Sequence, residues 1–121
     1  MEKVLGFGGF FFRARDPEGL ARWYQDYLGI APVPQSPRGH PWKAKGGDTV
    51  FAPFAADTDY FSADRAFMLN FRVRDLGLML AQLEEAGIQT KRLGDVPGIG
   101  RFAHLHDPEG NPIELWEPKE E

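Results

Sequence analysis

An internal repeat is the feature that most constrains the fold of this chain. The segment Phe12-Arg13-Ala14-Arg15-Asp16 recurs as Phe71-Arg72-Val73-Arg74-Asp75, and Leu28-Gly29-Ile30 is matched by Ala86-Gly87-Ile88 at nearly the same offset. Two landmarks in the same order and at similar spacing predict two related structural modules. A chain of 121 residues has the length of one domain. We therefore expect a single domain, 1–121, with modules at 1–56 and 66–121 and a linker at 57–65.

Each module begins with a segment that predicts a strand followed by a helix. Apolar side chains alternate with other residues in 4–14 and again in 67–73, as in a half-buried strand. Asp16 and Asp75 then stand where they can cap a helix N-terminus. Apolar residues follow each Asp at helical spacing, and each run ends near a glycine. The helices are predicted between Pro17 and Gly29 and at about 76–86.

Three short strands are predicted after each helix, because the chain is rich in glycine and proline and the remaining apolar runs are short. Each module is then βαβββ, and the fold class is α+β. Two such modules can curve their uncovered sheet faces around a shared cavity. The predicted strands lie near 31–35, 40–45 and 48–54 in the first module and near 88–93, 100–106 and 111–117 in the second.

Composition excludes several classes of partner and chemistry. The net charge of −4 lacks the basic surface that binds phosphate backbones, so we expect no nucleic-acid partner. No apolar run is long enough for a membrane span, and the N-terminus does not resemble a signal peptide, so we expect no membrane association and a cytoplasmic location. The absence of cysteine excludes disulfides and thiolate chemistry. Ten phenylalanines, three tryptophans and three tyrosines exceed the needs of a small core, and some are expected to line a pocket.

The sequence resembles the vicinal-oxygen-chelate superfamily, which includes glyoxalase I, bleomycin-resistance proteins and extradiol dioxygenases. The resemblance is carried by the paired βαβββ pattern, by Trp23-Tyr24 with Leu28-Gly29 in the first helix, and by the ending Asp107-Pro108-Glu109-Gly110-Asn111-Pro112-Ile113-Glu114-Leu115-Trp116-Glu117. It extends over nearly the whole chain. The fold follows from it, whereas the chemistry of the superfamily is diverse.

The resemblance implies four positions for metal ligands, one on the opening and one on the closing strand of each module. The opening-strand positions correspond to Gly9, which has no side chain, and Met68, a soft thioether that suits these divalent ions poorly. Residues 49–54 contain no His, Glu, Gln or Asp. Only Glu114 matches a family ligand, so we expect no divalent metal or other cofactor.

Glu114 and His104 are the candidate catalytic residues. Strand alternation places both on the sheet face turned away from the helices, and equal distances from the hairpin turn predict that they are cross-strand neighbours. A histidine beside a carboxylate can act as a general acid or base. The alternative is structural: Glu114 is neutralised by an arginine, and His104 is a hydrogen-bonded residue of a half-buried sheet.

Two arginines at equivalent positions of the modules, Arg13 and Arg72, are predicted on the same face. They can bracket Glu114 in an ion-pair network, or they can bind an anionic, partly apolar small molecule. His40 lies in a predicted surface loop, and His106 next to a turn is expected to be exposed. The candidate ligand-binding residues are Phe11, Arg13, Trp42, Asn70, Arg72 and Trp116.

Two functions remain open at this point. One is a metal-free protein that binds a small, anionic, partly apolar ligand, as in the bleomycin-resistance branch. The other is an enzyme of the glyoxalase, isomerase or lyase type that uses Glu114 with His104 as acid and base, or as part of a non-standard metal site. The resemblance also implies a homodimer, for which Phe54, Tyr60 and Phe61 are the predicted surface.

Overall fold

The computed structural model describes residues 1–34 and 36–119. This part of the chain forms two helices and one mixed four-stranded sheet in the order β1-β4-β3-β2. Strand β1 runs parallel to β4, and the other neighbours are antiparallel. Within the described ranges, no helix is both long and apolar enough to cross a membrane. The elements are α1 (Pro17–Leu28), β1 (Leu69–Arg72), α2 (Leu76–Glu85), β2 (Lys91–Arg92), β3 (Gly100–His106) and β4 (Pro112–Pro118).

The second module has the predicted βαβββ order. The Asp75 carboxylate accepts a hydrogen bond from the Leu78 N–H (3.0 Å), and α2 starts at the next residue, as the cap predicts. Helix α2 is followed by Gly87 at φ +81°, a left-handed conformation that favours glycine. Strand β2 is only two residues long, shorter than the predicted 88–93. The small α+β fold with a mixed sheet therefore agrees with the expectation for this half of the chain.

Helix α1 is the part of the first module that forms as predicted. Asp16 accepts a hydrogen bond from the Gly19 N–H (3.0 Å), Pro17 occupies the first turn, and Gly29 ends the helix at φ +71°. The apolar side of α1 joins α2 and the second-module sheet in one core. The buried apolar residues are Leu20, Tyr24, Leu76, Leu80, Leu83, Ala103, Leu105, Ile113 and Leu115.

The strands predicted for the first module are not found. None of 4–14, 31–34, 40–45 and 48–54 forms a strand in the described residues, and residue 35 of the predicted strand 31–35 lies outside them. An alternating pattern predicts that one face of a segment is apolar, but a strand also requires a neighbouring strand that pairs with its backbone hydrogen-bonding groups. These segments do not form such a ladder with one another. The two-module curved sheet is thus not confirmed.

The turn between β3 and β4 attaches α1 to the sheet. The Glu109 carboxylate accepts hydrogen bonds from the backbone N–H groups of Arg15 (2.7 Å) and Asp16 (2.9 Å), immediately before α1. The Tyr24 hydroxyl donates to the buried Asp107 carboxylate (2.7 Å). The segment Asp107–Asn111 therefore connects a hairpin of the second module to the helix of the first.

Candidate functional site

The buried carboxylate of Glu114 is the centre of the candidate site. Glu114 is only 6 % exposed. Its Oε2 accepts hydrogen bonds from the Tyr60 hydroxyl and from His104 Nε2 (2.8 Å), and its Oε1 accepts one from Asn70 Nδ2 (2.8 Å). A buried carboxylate is stable only when such donors replace water. The site is thus a carboxylate surrounded by three side-chain donors.

Sheet register positions two of these donors. His104 on β3 faces Glu114 on β4 in the antiparallel ladder, and Asn70 on β1 faces it in the parallel ladder. Alternation keeps all three side chains on one side of the sheet, opposite the core residues Leu105 and Ile113. The predicted cross-strand pairing of His104 and Glu114 is confirmed. We call this side, which carries Asn70, His104 and Glu114, the outer face.

The hydrogen bonds determine the ionisation of the site. Burial raises the pKa of the Glu114 carboxyl, but the hydrogen bonds from His104, Tyr60 and Asn70 outweigh burial and hold that pKa below its ordinary value of 4.5. Burial, followed by the hydrogen bond to Glu114 and its charge, raises the pKa of Tyr60 to about 12. At neutral pH, Glu114 is therefore an ionised acceptor and Tyr60 a protonated donor.

This arrangement limits what Glu114 can do chemically. A carboxylate oxygen has two lone-pair sites, and both sites of Oε2 are filled by Tyr60 and His104. A carboxylate with a lowered pKa that accepts three hydrogen bonds is a weak base. Because an ionised carboxylate only accepts, His104 Nε2 is the donor of this hydrogen bond, and His104 Nδ1 is the ring nitrogen that takes no part in it. Glu114 orients His104, and a proton-transfer role would belong to His104.

Tyr60 is the site residue that the sequence did not indicate. It lies in the linker, and its ring stands edge-on to the His104 ring, with 5.1 Å between the two ring centroids. The centroid of the Phe54 ring lies 5.7 Å from that of Tyr60. The sequence predicts Tyr60 on a dimer surface together with Phe54 and Phe61. The contact with Glu114 joins residues 54 positions apart. The one signal available in the sequence is an aromatic pair within an otherwise acidic linker.

The two predicted arginines do not meet at Glu114. Arg72 donates hydrogen bonds to the backbone carbonyl oxygens of Lys45 (2.7 Å) and Asp48, and Arg13 is exposed. Of the two alternatives for these arginines, the ion-pair network around Glu114 is therefore not formed. Strand alternation gave the correct face for Arg72, but its long side chain reaches carbonyl oxygens of the segment 45–48 instead of Glu114.

The predicted aromatic residues occupy three different places. Trp116 lies on the outer face, where it stacks on Phe102 at 6.1 Å and donates to the Ile99 carbonyl oxygen (3.0 Å). Trp42 contacts Phe71, which packs against the core, so Trp42 is on the helix side of the sheet and not beside Glu114. Phe11 is 91 % exposed. Of these three candidate ligand-binding residues, Trp116 is therefore the one that shares the outer face with Glu114.

A large open cleft lies next to the site. Its volume is about 1120 Å³, and it is bordered by linker residues 57–63, by 87–91 and by one end of the β3–β4 hairpin. Tyr60 and His104 line it, as does His106, which is exposed as predicted. His40 is also exposed. The cleft gives small molecules a route to Tyr60 and His104.

The residues present do not fit the divalent metal of the superfamily. Gly9 and Met68 offer no oxygen or nitrogen side-chain ligand, and Glu114 is occupied by donors of its own chain. In the part of the chain that the structure describes, no three His, Asp or Glu side chains come together as a possible metal site. No chemical step through a metal follows from this donor set.

The sequence matches the model of the glyoxalase-like domain over residues 9–116. The chain belongs to this family. The resemblance to the vicinal-oxygen-chelate superfamily is thereby confirmed. Among curated protein sequences, none is significantly similar to the chain.

Solved structures of the same superfamily are similar to this glyoxalase-like protein. TnmS3, an antibiotic binding protein from Streptomyces sp. CB03234, is 27 % identical, with 86 % of this chain and 88 % of that chain covered and a TM-score of 0.58. A glyoxalase/bleomycin resistance protein from the same organism is 26 % identical, with coverage of 86 % and 93 % and a TM-score of 0.57. A glyoxylase/bleomycin resistance protein/dioxygenase domain from Frankia sp. EAN1pec is 17 % identical, with coverage of 97 % and 100 % and a TM-score of 0.62. This last similarity concerns the fold.

Proposed function

We propose that this glyoxalase-like protein binds a small, partly apolar organic molecule without using a divalent metal. The observation that carries the proposal is the environment of Glu114. The one carboxylate that matches a family metal ligand is hydrogen-bonded by Tyr60, His104 and Asn70. A metal-binding carboxylate needs free lone pairs directed at the ion, and here the chain's own donors take three of the four lone-pair sites.

The similarity to TnmS3 supports this proposal. That protein is an antibiotic binding protein, and at 27 % identity the similarity extends over 86 % of this chain. The outer face and the adjacent cleft supply what a binding protein needs, namely aromatic side chains and a few polar groups next to an open space of about 1120 Å³.

The structure changes the expected charge of the ligand. The preference for an anion depended on Arg13 and Arg72 lining the cavity as free cations. Arg72 instead donates to the backbone carbonyl oxygens of Lys45 and Asp48, and Arg13 is exposed. Glu114 is ionised at neutral pH, so a group that approaches it gains by donating a hydrogen bond. The ligand is still expected to be partly apolar, but an anionic group is not favoured at Glu114.

An enzyme of the glyoxalase, isomerase or lyase type is the second candidate function. The 2.8 Å contact between His104 Nε2 and Glu114 Oε2 favours it, because a histidine fixed in one tautomer can accept a proton at Nδ1. Activity that is lost in His104→Ala and kept in metal-depleted protein would favour this candidate over a binding function.

Metal analysis tests the proposal directly. Untagged protein, dialysed exhaustively, is expected to contain well under one equivalent of Zn, Fe, Mn or Ni per chain, because Gly9 and Met68 supply no suitable ligands. Native mass spectrometry of the same sample should detect a co-purifying small molecule. One tightly bound metal ion per chain that is lost in Glu114→Ala would contradict the proposal.

The proposed binding function includes a domain organisation and an oligomeric state. We propose a single domain over 1–121, divided at the linker 57–65, and a homodimer as the functional unit. The outer face and the cleft accommodate small molecules, and the net charge of −4 disfavours nucleic acid. We also propose a cytoplasmic location.

A further inference from the structure

Tyr60 differs from the other two donors of Glu114 in how it is held. Asn70 and His104 belong to strands β1 and β3, and both strands pair along their length with β4. Tyr60 lies in a segment without helix or strand and is 41 % exposed. Its hydrogen bond can therefore break without disturbing the sheet, whereas those of Asn70 and His104 are fixed by the ladder.

The linker is anchored close to Tyr60, at its C-terminal end. The Arg65 guanidinium donates to the Glu109 carbonyl oxygen (2.9 Å) and to Asn111 Oδ1 (3.3 Å) on the β3–β4 turn. The segment around Tyr60 forms mainly local hydrogen bonds, such as that of the Tyr60 N–H with Thr58 Oγ1 (3.2 Å). The linker can thus swing at Tyr60 while Arg65 keeps it attached.

The position of the Tyr60 ring indicates what else could occupy it. Its hydroxyl donates to Glu114 Oε2, its ring meets His104 edge-on, and it borders the open cleft. A molecule that entered from the cleft and presented an aromatic ring with a hydroxyl group would make the same contacts. The space next to Glu114 and His104 has the size and the hydrogen-bond acceptor that a phenol needs, because the phenol ring of Tyr60 already occupies it.

The charge around the cleft favours a neutral occupant. Its formally charged lining residues are three acids and one base, Asp57, Asp59, Glu84 and Lys91. Together with the ionised Glu114, they disfavour a carboxylate or phosphate next to Oε2. A neutral hydroxyl donor meets no such repulsion and satisfies the acceptor that Tyr60 would leave free.

We propose that Tyr60 is a tethered competitor at the Glu114 site, and that the ligand is a neutral aromatic compound whose hydroxyl group displaces it. This inference rests on the proposed binding function and specifies the chemical class of the ligand. The linker then has a function beyond joining two halves of the chain: it closes the site with an internal phenol until a phenolic ligand replaces it.

Chemical rescue of a Tyr60 deletion tests this proposal. Tyr60→Ala is expected to bind 4-methylphenol at least tenfold more tightly than the wild type does, because it removes the competitor and opens a space of the same shape. 4-Methylanisole keeps the ring but cannot donate, so Tyr60→Ala should bind it at least tenfold more weakly than 4-methylphenol. Adding Glu114→Gln should abolish this preference. Tyr27→Ala, which removes a tyrosine from α1, is the matched control and should bind as the wild type does.

A second measurement uses the wild-type protein. Nuclear Overhauser contacts between the Tyr60 and His104 rings should disappear as 4-methylphenol saturates the site and persist with 4-methylanisole. The displacement of Tyr60 is overturned if the contacts persist at saturation with 4-methylphenol, or if Tyr60→Ala and the wild type bind 4-methylphenol with equal affinity. Either result leaves the proposed binding function intact. A failure of both aromatic probes to bind any variant overturns the displacement, and a stoichiometric metal overturns the proposed function separately.

Discussion

Glu114 is the residue at which ionisation and stability are most closely linked. Its folded pKa lies below 4.5, so the unfolded chain binds this proton more tightly than the folded protein does. The stabilisation is fully present above about pH 4.5 and is lost as the pH falls through the folded pKa. Glu114→Gln should lower the free energy of unfolding at neutral pH by about 1–3 kcal/mol, because an amide cannot accept from Tyr60 and His104 in the same way.

Urea unfolding at a series of pH values checks this prediction. The wild type should lose more stability than Glu114→Gln does between neutral pH and the acid region below pH 4.5. Glu85→Gln, at an exposed position of α2, serves as the control and should keep the wild-type pH dependence. Equal losses of stability in Glu114→Gln and the wild type at acid pH would show that protonation of the Glu114 carboxylate does not cause the loss.

The Tyr60 hydroxyl provides an independent measurement of the same hydrogen bond. Its pKa of about 12 predicts phenolate absorbance that rises at that pH and is missing in Tyr60→Phe. In Glu114→Gln this component should move only part of the way toward the ordinary value of 10.0, because burial is the largest cause of the shift. The Tyr60 contribution to stability is present below about pH 10 and is lost as the pH rises toward 12. A component that stays at its wild-type position in Glu114→Gln would refute the contact.

At the scale of single residues, sequence alternation placed three of the four side chains of the site, those of Glu114, His104 and Asn70, on one face. The pairing of Glu114 with His104 was predictable because both residues lie at the same distance along the chain from one hairpin turn, and the turn fixes the register of the two strands. Tyr60 could not be found in this way, because its contact depends on how a segment without regular structure crosses the sheet. The direction of the Arg72 side chain could not be predicted either, since a long side chain has several allowed rotamers at one backbone position.

At the scale of elements, the Asp107–Asn111 turn holds α1 against the sheet through the buried Tyr24–Asp107 hydrogen bond. Burial, with the hydrogen bond to Asp107 and its charge, raises the pKa of Tyr24. Tyr24→Phe should lower the free energy of unfolding by about 1.5–3 kcal/mol, because it removes a donor from a buried, charged acceptor. Urea unfolding at neutral pH measures this loss.

A matched control for Tyr24→Phe lies one turn further along the same helix. Tyr27 is 36 % exposed, and Tyr27→Phe should change the free energy of unfolding by less than about 0.5 kcal/mol. Equal effects of the two substitutions would mean that the loss comes from the helix itself and not from its attachment to the turn.

Elements with strong local signals were predictable, and the others were not. Both helices carry an Asp cap, an apolar stripe and a terminal glycine, and both form where predicted. The hairpin β3–β4 has a turn signature and alternation on both strands. The first-module strands have alternation only in 4–14 and short apolar runs in 31–35, 40–45 and 48–54. Neither signal specifies the distant partners with which a strand must pair.

At the scale of the whole molecule, exposed apolar surface is concentrated before the linker. Phe7, Phe11 and Phe51 are 63 %, 91 % and 80 % exposed. Aromatic side chains at this density are costly to leave in water, and they typically mark an interface. The sequence predicts a homodimer through Phe54, Tyr60 and Phe61, and we propose this exposed surface as a second candidate for its interface.

Sedimentation equilibrium tests the homodimer, with twice the chain mass of 13.6 kDa expected at high micromolar concentration. Phe51→Glu should weaken association at least tenfold, because it introduces a charge into apolar surface. Leu78→Glu, at an exposed position of α2, is the matched control and should leave the mass unchanged. Phe54→Ala and Phe61→Ala test the surface assigned from the sequence, where these two rings pack against each other at 5.7 Å. Association that weakens in these variants but not in Phe51→Glu would place the interface at the linker, and a monomer at every concentration would exclude the dimer.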